Sequence, residues 1–201
     1  MTGFTLETWR RQAVCPEREA ERCRQGVALF DFSFMSVVRA SGAGSAALIS
    51  DYVQRDLSNM SVGGIRYCVH ADPEHRVRSD LTVWKVDDQV FEVMTGEAAD
   101  VKSLAAQSTY RARVEDISAC PAIFAVQGPL SLARILPACD ERSLERLGYF
   151  SFCDANIHGV PARIGRLGYT GERGFELVVH VDDGQHLWEA LSQTIEVAGF
   201  A

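Results

Sequence analysis

Gly168-Tyr-Thr-Gly-Glu-Arg-Gly stands between two runs, Val160 to Leu167 and Phe175 to Val181, that read as β-strands. Three glycines in seven residues let the backbone turn sharply or approach a ligand closely. The chain therefore doubles back here. The departing strand places Phe175, Leu177 and Val179 on one face and Glu176, Val178 and His180 on the other. Glu176, at the strand start beside the glycine turn, could accept paired N–H donors from a heterocyclic ring. Spacing alone favours the plainer alternative, a long hairpin with surface carboxylates.

The remaining pattern predicts an α+β fold, with strands in hairpin pairs and helices between them. An opening helix spans about Glu7 to Gln25, with Trp9, Val14 and Cys23 interspersed, and Gly26 ends it. Strands follow at Val27 to Phe32 and Ser36 to Ala40, then a helix from Ala43 to Gln54. After the break at Gly63-Gly64, Val77 to Val86 alternates. Val77, Ser79, Leu81 and Val83 share one face; Arg78, Asp80, Thr82, Trp84 and Val86 share the other. Asp87-Asp88 turns the chain into Val90 to Met94, a hairpin. A helix over Glu97 to Gln107 and strands at Ala112 to Ile117 and Ala122 to Val126 come next. Gly128-Pro129 is expected to open a helix. Asp182-Asp183 is expected to cap a last one reaching about Ala198, with Trp188, Leu191 and Ile195 at core spacing.

A net charge of -7 argues against a non-specific nucleic-acid binder, which carries a basic excess. The six cysteines form no CxxC pair and read as scattered buried thiols. No apolar run of about 18 residues is present to span a membrane. The start has no apolar h-region, and Glu7, Glu17 and Glu19 oppose a transit peptide, so a cytoplasmic location is expected. The five histidines lack ligand spacing and no metal is expected. No GxSxG, Walker or GxGxxG sequence occurs. Asp80 is the other chemical candidate. Asp is disfavoured in mid-strand, and a carboxylate beside Trp84 and Val86 could orient a cation or an amine. The alternative is a solvated position next to Arg78.

The string Arg166-Leu-Gly-Tyr-Thr-Gly-Glu-Arg-Gly-Phe-Glu-Leu resembles the R-x-G-Y-T-G-E-x-G-F-E motif of the aminomethyltransferase family, the T-protein of the glycine cleavage system. Asp31-Phe-Ser-Phe-Met resembles that family's D-x-S-H-M, Ser79-Asp-Leu-Thr-Val its D-D-L-x-V, and Ala125-Val-Gln-Gly-Pro its A-x-Q-G-P. The resemblance also extends to the C-terminal half of dimethylglycine and sarcosine dehydrogenases. It implies an N-terminal helical segment over 1–28 and a folate-binding domain over 29–201. That domain would have mixed or antiparallel sheets with packed helices, and would lack the family's C-terminal barrel.

By the same resemblance, tetrahydrofolate is the expected co-substrate and Asp80 the catalytic aspartate that positions the attacking amine. Tyr67 lines the cavity, Glu176 binds the pterin ring, Tyr169 belongs to the same motif, and Met94 and Thr95 border the ring. Phe34 stands where the family has histidine, and His75 and Arg76 where it has glycines. The resemblance implies aminomethyl transfer. Alternatives are a non-catalytic subunit partnering an amine oxidase and a folate-dependent demethylase. A lipoyl carrier protein is a further partner to be expected.

Overall fold

A computed structural model describes residues 15–107 and 110–199. The expected helical stretch from Glu7 to Val14 lies outside them. The chain divides into two compact units, one from Met1–Phe34 with Cys120–Ala201, the other from Met35–Ala119. Among the described residues no helix is long and apolar enough to cross a membrane.

The first unit holds α1 (Pro16–Gln25), β1 (Ala28–Asp31), β7 (Pro121–Gln127), α4 (Ser131–Ile135), β8 (Phe152–Ile157), β9 (Val160–Gly165), β10 (Gly174–His180) and α5 (Val181–Ser192). Its five strands run in the order β1-β7-β10-β9-β8, every neighbouring pair antiparallel. Phe175, Leu177 and Val179 join Leu29, Phe124 and Val126 in a core closed by Leu187 and Leu191 of α5. Each such side chain contributes about 1.5–3 kcal/mol by leaving water. The Phe175 face is thus the core face, as alternation requires, and Glu176 points the other way.

The second unit holds β2 (Ser36–Ser41), α2 (Ser45–Tyr52), β3 (Ile65–Ala71), β4 (Val77–Asp87), β5 (Val90–Thr95), α3 (Ala98–Ala105) and β6 (Arg113–Asp116). Its antiparallel sheet has the order β3-β4-β5-β2-β6. Leu81 and Val83 pack with Val38, Phe91, Leu48 and Leu104. Thr82 and Trp84 on the opposite face are also buried. The α+β fold and the β4–β5 hairpin follow the sequence reading.

Under this core, Asp100 accepts hydrogen bonds from Tyr52 Oη (2.5 Å), Thr95 Oγ1 (2.6 Å) and Ser79 Oγ (3.0 Å). Burial and this carboxylate push the Tyr52 phenol well up. Hydrogen bonds from hydroxyls to a carboxylate are shorter and stronger than those between neutral groups. Asp100→Asn keeps the shape and loses the charge, and is expected to cost about 1–2 kcal/mol in denaturant unfolding. An unchanged midpoint would show that the three hydroxyls find other partners.

Three boundaries differ from expectation. The last helix is capped by His180, whose side chain accepts from the Asp182 N–H. Because the helix starts at Val181, Asp182 and Asp183 sit in the first turn and favour its dipole instead. That helix also stops at Ser192, and the residues beyond it run parallel to β1. Leu29 N–H donates to the Glu196 carbonyl and Ala198 N–H to the Leu29 carbonyl. β1 is an edge strand, and its unpaired backbone groups draw the tail out of helical geometry. Pro129 lies in a turn, with α4 beginning only at Ser131.

Candidate functional site

In the second unit, Tyr67, Thr82 and Met94 stand opposite one another across β3, β4 and β5. Asp80 follows on the same face, two residues from Thr82. Tyr67 Oη donates to Asp80 Oδ2 at 3.1 Å. Burial, and then the neighbouring carboxylate, raise the Tyr67 phenol, so the hydroxyl stays a donor. Asp80 is exposed and Tyr67 is 43% exposed, while Met94 is fully buried. Trp84 Nε1 donates to Thr82 Oγ1 at 3.0 Å, which fixes the indole next to this group. Tyr67, Asp80 and Met94 therefore come together. Thr95 does not join them: it follows Met94, so its side chain lies on the opposite face, where it donates to Asp100 and accepts from the Glu97 N–H. Only its backbone is left for a ligand on the Asp80 side.

In the first unit, Glu176 is 0% exposed, and both carboxylate oxygens lack a hydrogen-bond partner among the described residues. Burial pushes its carboxyl up to about 8. Unpaired buried polar atoms are rare in folded proteins and costly. A carboxylate in this condition suits a ligand bringing its own N–H donors.

The glycine loop beside Glu176 is held from two sides. Gln127, fully buried on β7, donates Nε2 to the carbonyls of Leu167 (3.2 Å) and Phe175 (3.4 Å), and its Oε1 accepts from Thr170 Oγ1 at 3.0 Å. From α1, Arg24 Nη1 donates to the Thr170 carbonyl at 2.6 Å and pairs with Glu172 at 3.0 Å. Tyr169 is thereby presented at the loop tip, 44% exposed.

Phe32 was not among the expected site residues. Its ring lies 6.4 Å from Tyr169 and 5.9 Å from Phe34, in tilted contact with both. The alternation of Phe30, Phe32 and Phe34 was the signal available for this aromatic row. The preceding Asp31 accepts from the Ser33 N–H at 2.9 Å, and Ser33 Oγ accepts from the Ile123 N–H at 3.0 Å. Asp31-x-Ser33 is thus a strand-ending turn that orients the phenylalanines.

A family model described as the GCVT N-terminal domain matches residues 4–201. The aminomethyltransferase of Streptomyces avermitilis is 34% identical over 188 residues, 91% of this chain and 50% of that protein. The chain spans about half the length of the curated relatives it matches, 48–50% for the first of them. Among solved structures, the glycine cleavage system aminomethyltransferase T of Bartonella henselae superposes with a TM-score of 0.80 at 24% identity, over 90% of this chain and 50% of that one. A chain of the heterotetrameric sarcosine oxidase from Corynebacterium sp. U-96 superposes with a TM-score of 0.63 at 19% identity, over 94% of this chain and 99% of that one. At these identities the superpositions bear on fold alone.

Proposed function

The chain belongs to the GCVT N-terminal domain family, and from that premise we propose that it binds tetrahydrofolate and serves aminomethyl transfer to it, in a cytoplasmic setting. The observation that carries the reading is Glu176, a buried carboxylate with both oxygens unpaired. A pterin ring presents adjacent N–H donors, and an ionised carboxylate accepts such a pair in a strong charge-assisted geometry. The aromatic row of Phe32, Phe34 and Tyr169 offers flat apolar surface for such a ring.

Asp80 is the catalytic group of this reading. Tyr67 engages Oδ2, and Oδ1 is left to orient the amine that attacks the incoming carbon. Transfer needs no protein nucleophile, so the gain comes from orientation and electrostatics. Asp80→Asn is expected to keep tetrahydrofolate affinity within about threefold and to lower methylene-tetrahydrofolate formation about a hundredfold. Calorimetry and a single-turnover assay read the two quantities separately. Wild-type protein that ignores tetrahydrofolate at millimolar concentration would sink the proposal.

A second reading is a subunit that keeps the fold and partners an amine oxidase. That the same fold occurs as a chain of a heterotetrameric sarcosine oxidase motivates it, as do Phe34, His75 and Arg76 at positions where the family has other residues. Protein that binds folate, lacks turnover alone and gains it only beside an oxidase subunit would favour this reading. A lipoyl carrier protein is the partner proposed under the first.

A further inference from the structure

The two arginines of the glycine motif do not serve the Glu176 face. Arg166 precedes the loop and Arg173 ends it, and both line a cavity of about 470 Å3 in the first unit. Leu132, Leu136 and Phe175 supply apolar wall, and Glu145 also borders it. Phe175 belongs to the core face of β10, so this cavity and Glu176 lie on opposite faces of the strand.

Arg166 is held before any ligand arrives. Its Nη1 donates to the Leu147 carbonyl, and its guanidinium carbon sits 4.4 Å over the Tyr149 ring. The Nε and Nη2 edge takes no partner among the described residues, and that edge is the fork that grips a carboxylate or phosphate through two parallel bonds. Arg173 is anchored through its backbone, its carbonyl accepting from the Gly128 N–H at 2.7 Å. Among the described residues neither arginine forms an ion pair, with Glu145 or with any other carboxylate. Two guanidiniums against one carboxylate leave the cavity positive, in a chain whose net charge is -7. The volume falls within the ordinary range of small-molecule sites, roughly 300–1,000 Å3.

We propose that this cavity binds a small organic anion, its carboxylate or phosphate gripped by Arg166 and Arg173 and its apolar body laid on Leu132, Leu136 and Phe175. The site is independent of folate binding. Titration calorimetry with benzoate and with phenyl phosphate separates the two possible head groups, the tighter probe naming the class. Wild-type protein is expected to bind one of them at sub-millimolar concentration. Arg173→Gln, a change at an exposed side chain, is expected to weaken that binding about tenfold, with its melting temperature and tetrahydrofolate affinity unchanged. Arg166→Gln should weaken it at least as much. No binding of either probe at about 10 mM, or equal binding by Arg173→Gln, overturns the proposal. So does capture of a polyglutamate peptide by protein that ignores both probes, since Leu130 and Tyr149 are also exposed and the surface would then be a protein-docking one.

Discussion

Glu176→Gln is expected to make the ligand-free protein more stable and to remove its affinity for tetrahydrofolate. The native carboxyl titrates near 8 and the unfolded one near 4.5. Between those values the native state holds a proton that the unfolded state has released. Stability therefore falls as pH rises through this window, by up to about 1.4 kcal/mol per unit, and is level above it. A glutamine does not titrate. The variant should match the wild type near pH 4 and exceed it by on the order of 4 kcal/mol at pH 8. Denaturant midpoints across that range provide the measurement, and parallel curves would show that the side chain is solvated or paired. A ligand that donates two N–H groups reverses the preference and favours the ionised form. Tetrahydrofolate binding near pH 7 should then release about one proton, detectable as a dependence of calorimetric enthalpy on buffer ionisation. Glutamine cannot accept both donors, and a loss of roughly a hundredfold in affinity is expected. Stability and binding thus move in opposite directions at one residue, as is common where a site holds strain or an unpaired charge.

Periodicity exposed much of this architecture because the apolar alternation of β4, β5 and β10 is strong. Leu81, Val83, Leu177 and Val179 face cores as their spacing demands. β8 leaves little trace in the sequence because Cys153, Asp154 and Asn156 dilute its pattern. Its one clear mark is the turn His158-Gly159, where both residues have positive φ (51° and 79°), as a two-residue hairpin turn requires. The tail after Ser192 departs from the expected helix because propensity is local, whereas the edge of β1 that captures it is distant in sequence. Asp80 and Glu176 were both legible as carboxylates on strands, and spacing favoured solvent for each. Asp80 is indeed exposed, whereas Glu176 is fully buried. No pattern within one strand could separate the two, because burial of the face opposite the core is set by what the rest of the chain brings to it. Thr95 shows the same limit in reverse. Adjacent to Met94 in sequence, it is committed to Asp100 by the simple alternation of the strand.

The resemblance treated Gln127 and the glycine motif as separate strings; the structure makes them one object. A Cβ on Gly168 would lie 2.0 Å from Gln127 Oε1, and one on Gly174 would lie 2.3 Å from both Oε1 and Cδ. The glycines are required here for the space their missing side chains leave. Gly174→Ala must therefore expel a buried amide that makes three hydrogen bonds. The expected cost is about 3 kcal/mol, from strain and from the carbonyls of Leu167 and Phe175 left unpaired. Gly96→Ala, whose Cβ would meet nothing within 4 Å, is the control and should be near neutral. Adding Gln127→Ala to Gly174→Ala removes the obstacle. The double variant should be no less stable than the worse single one, with a coupling of about 2 kcal/mol. Simple addition of the two costs in denaturant unfolding would mean that the amide moves aside freely, and that the loop bearing Tyr169 is held by Arg24 alone. Coupling of the expected size would instead mean that residues more than forty positions apart jointly set the shape of the turn beside Glu176.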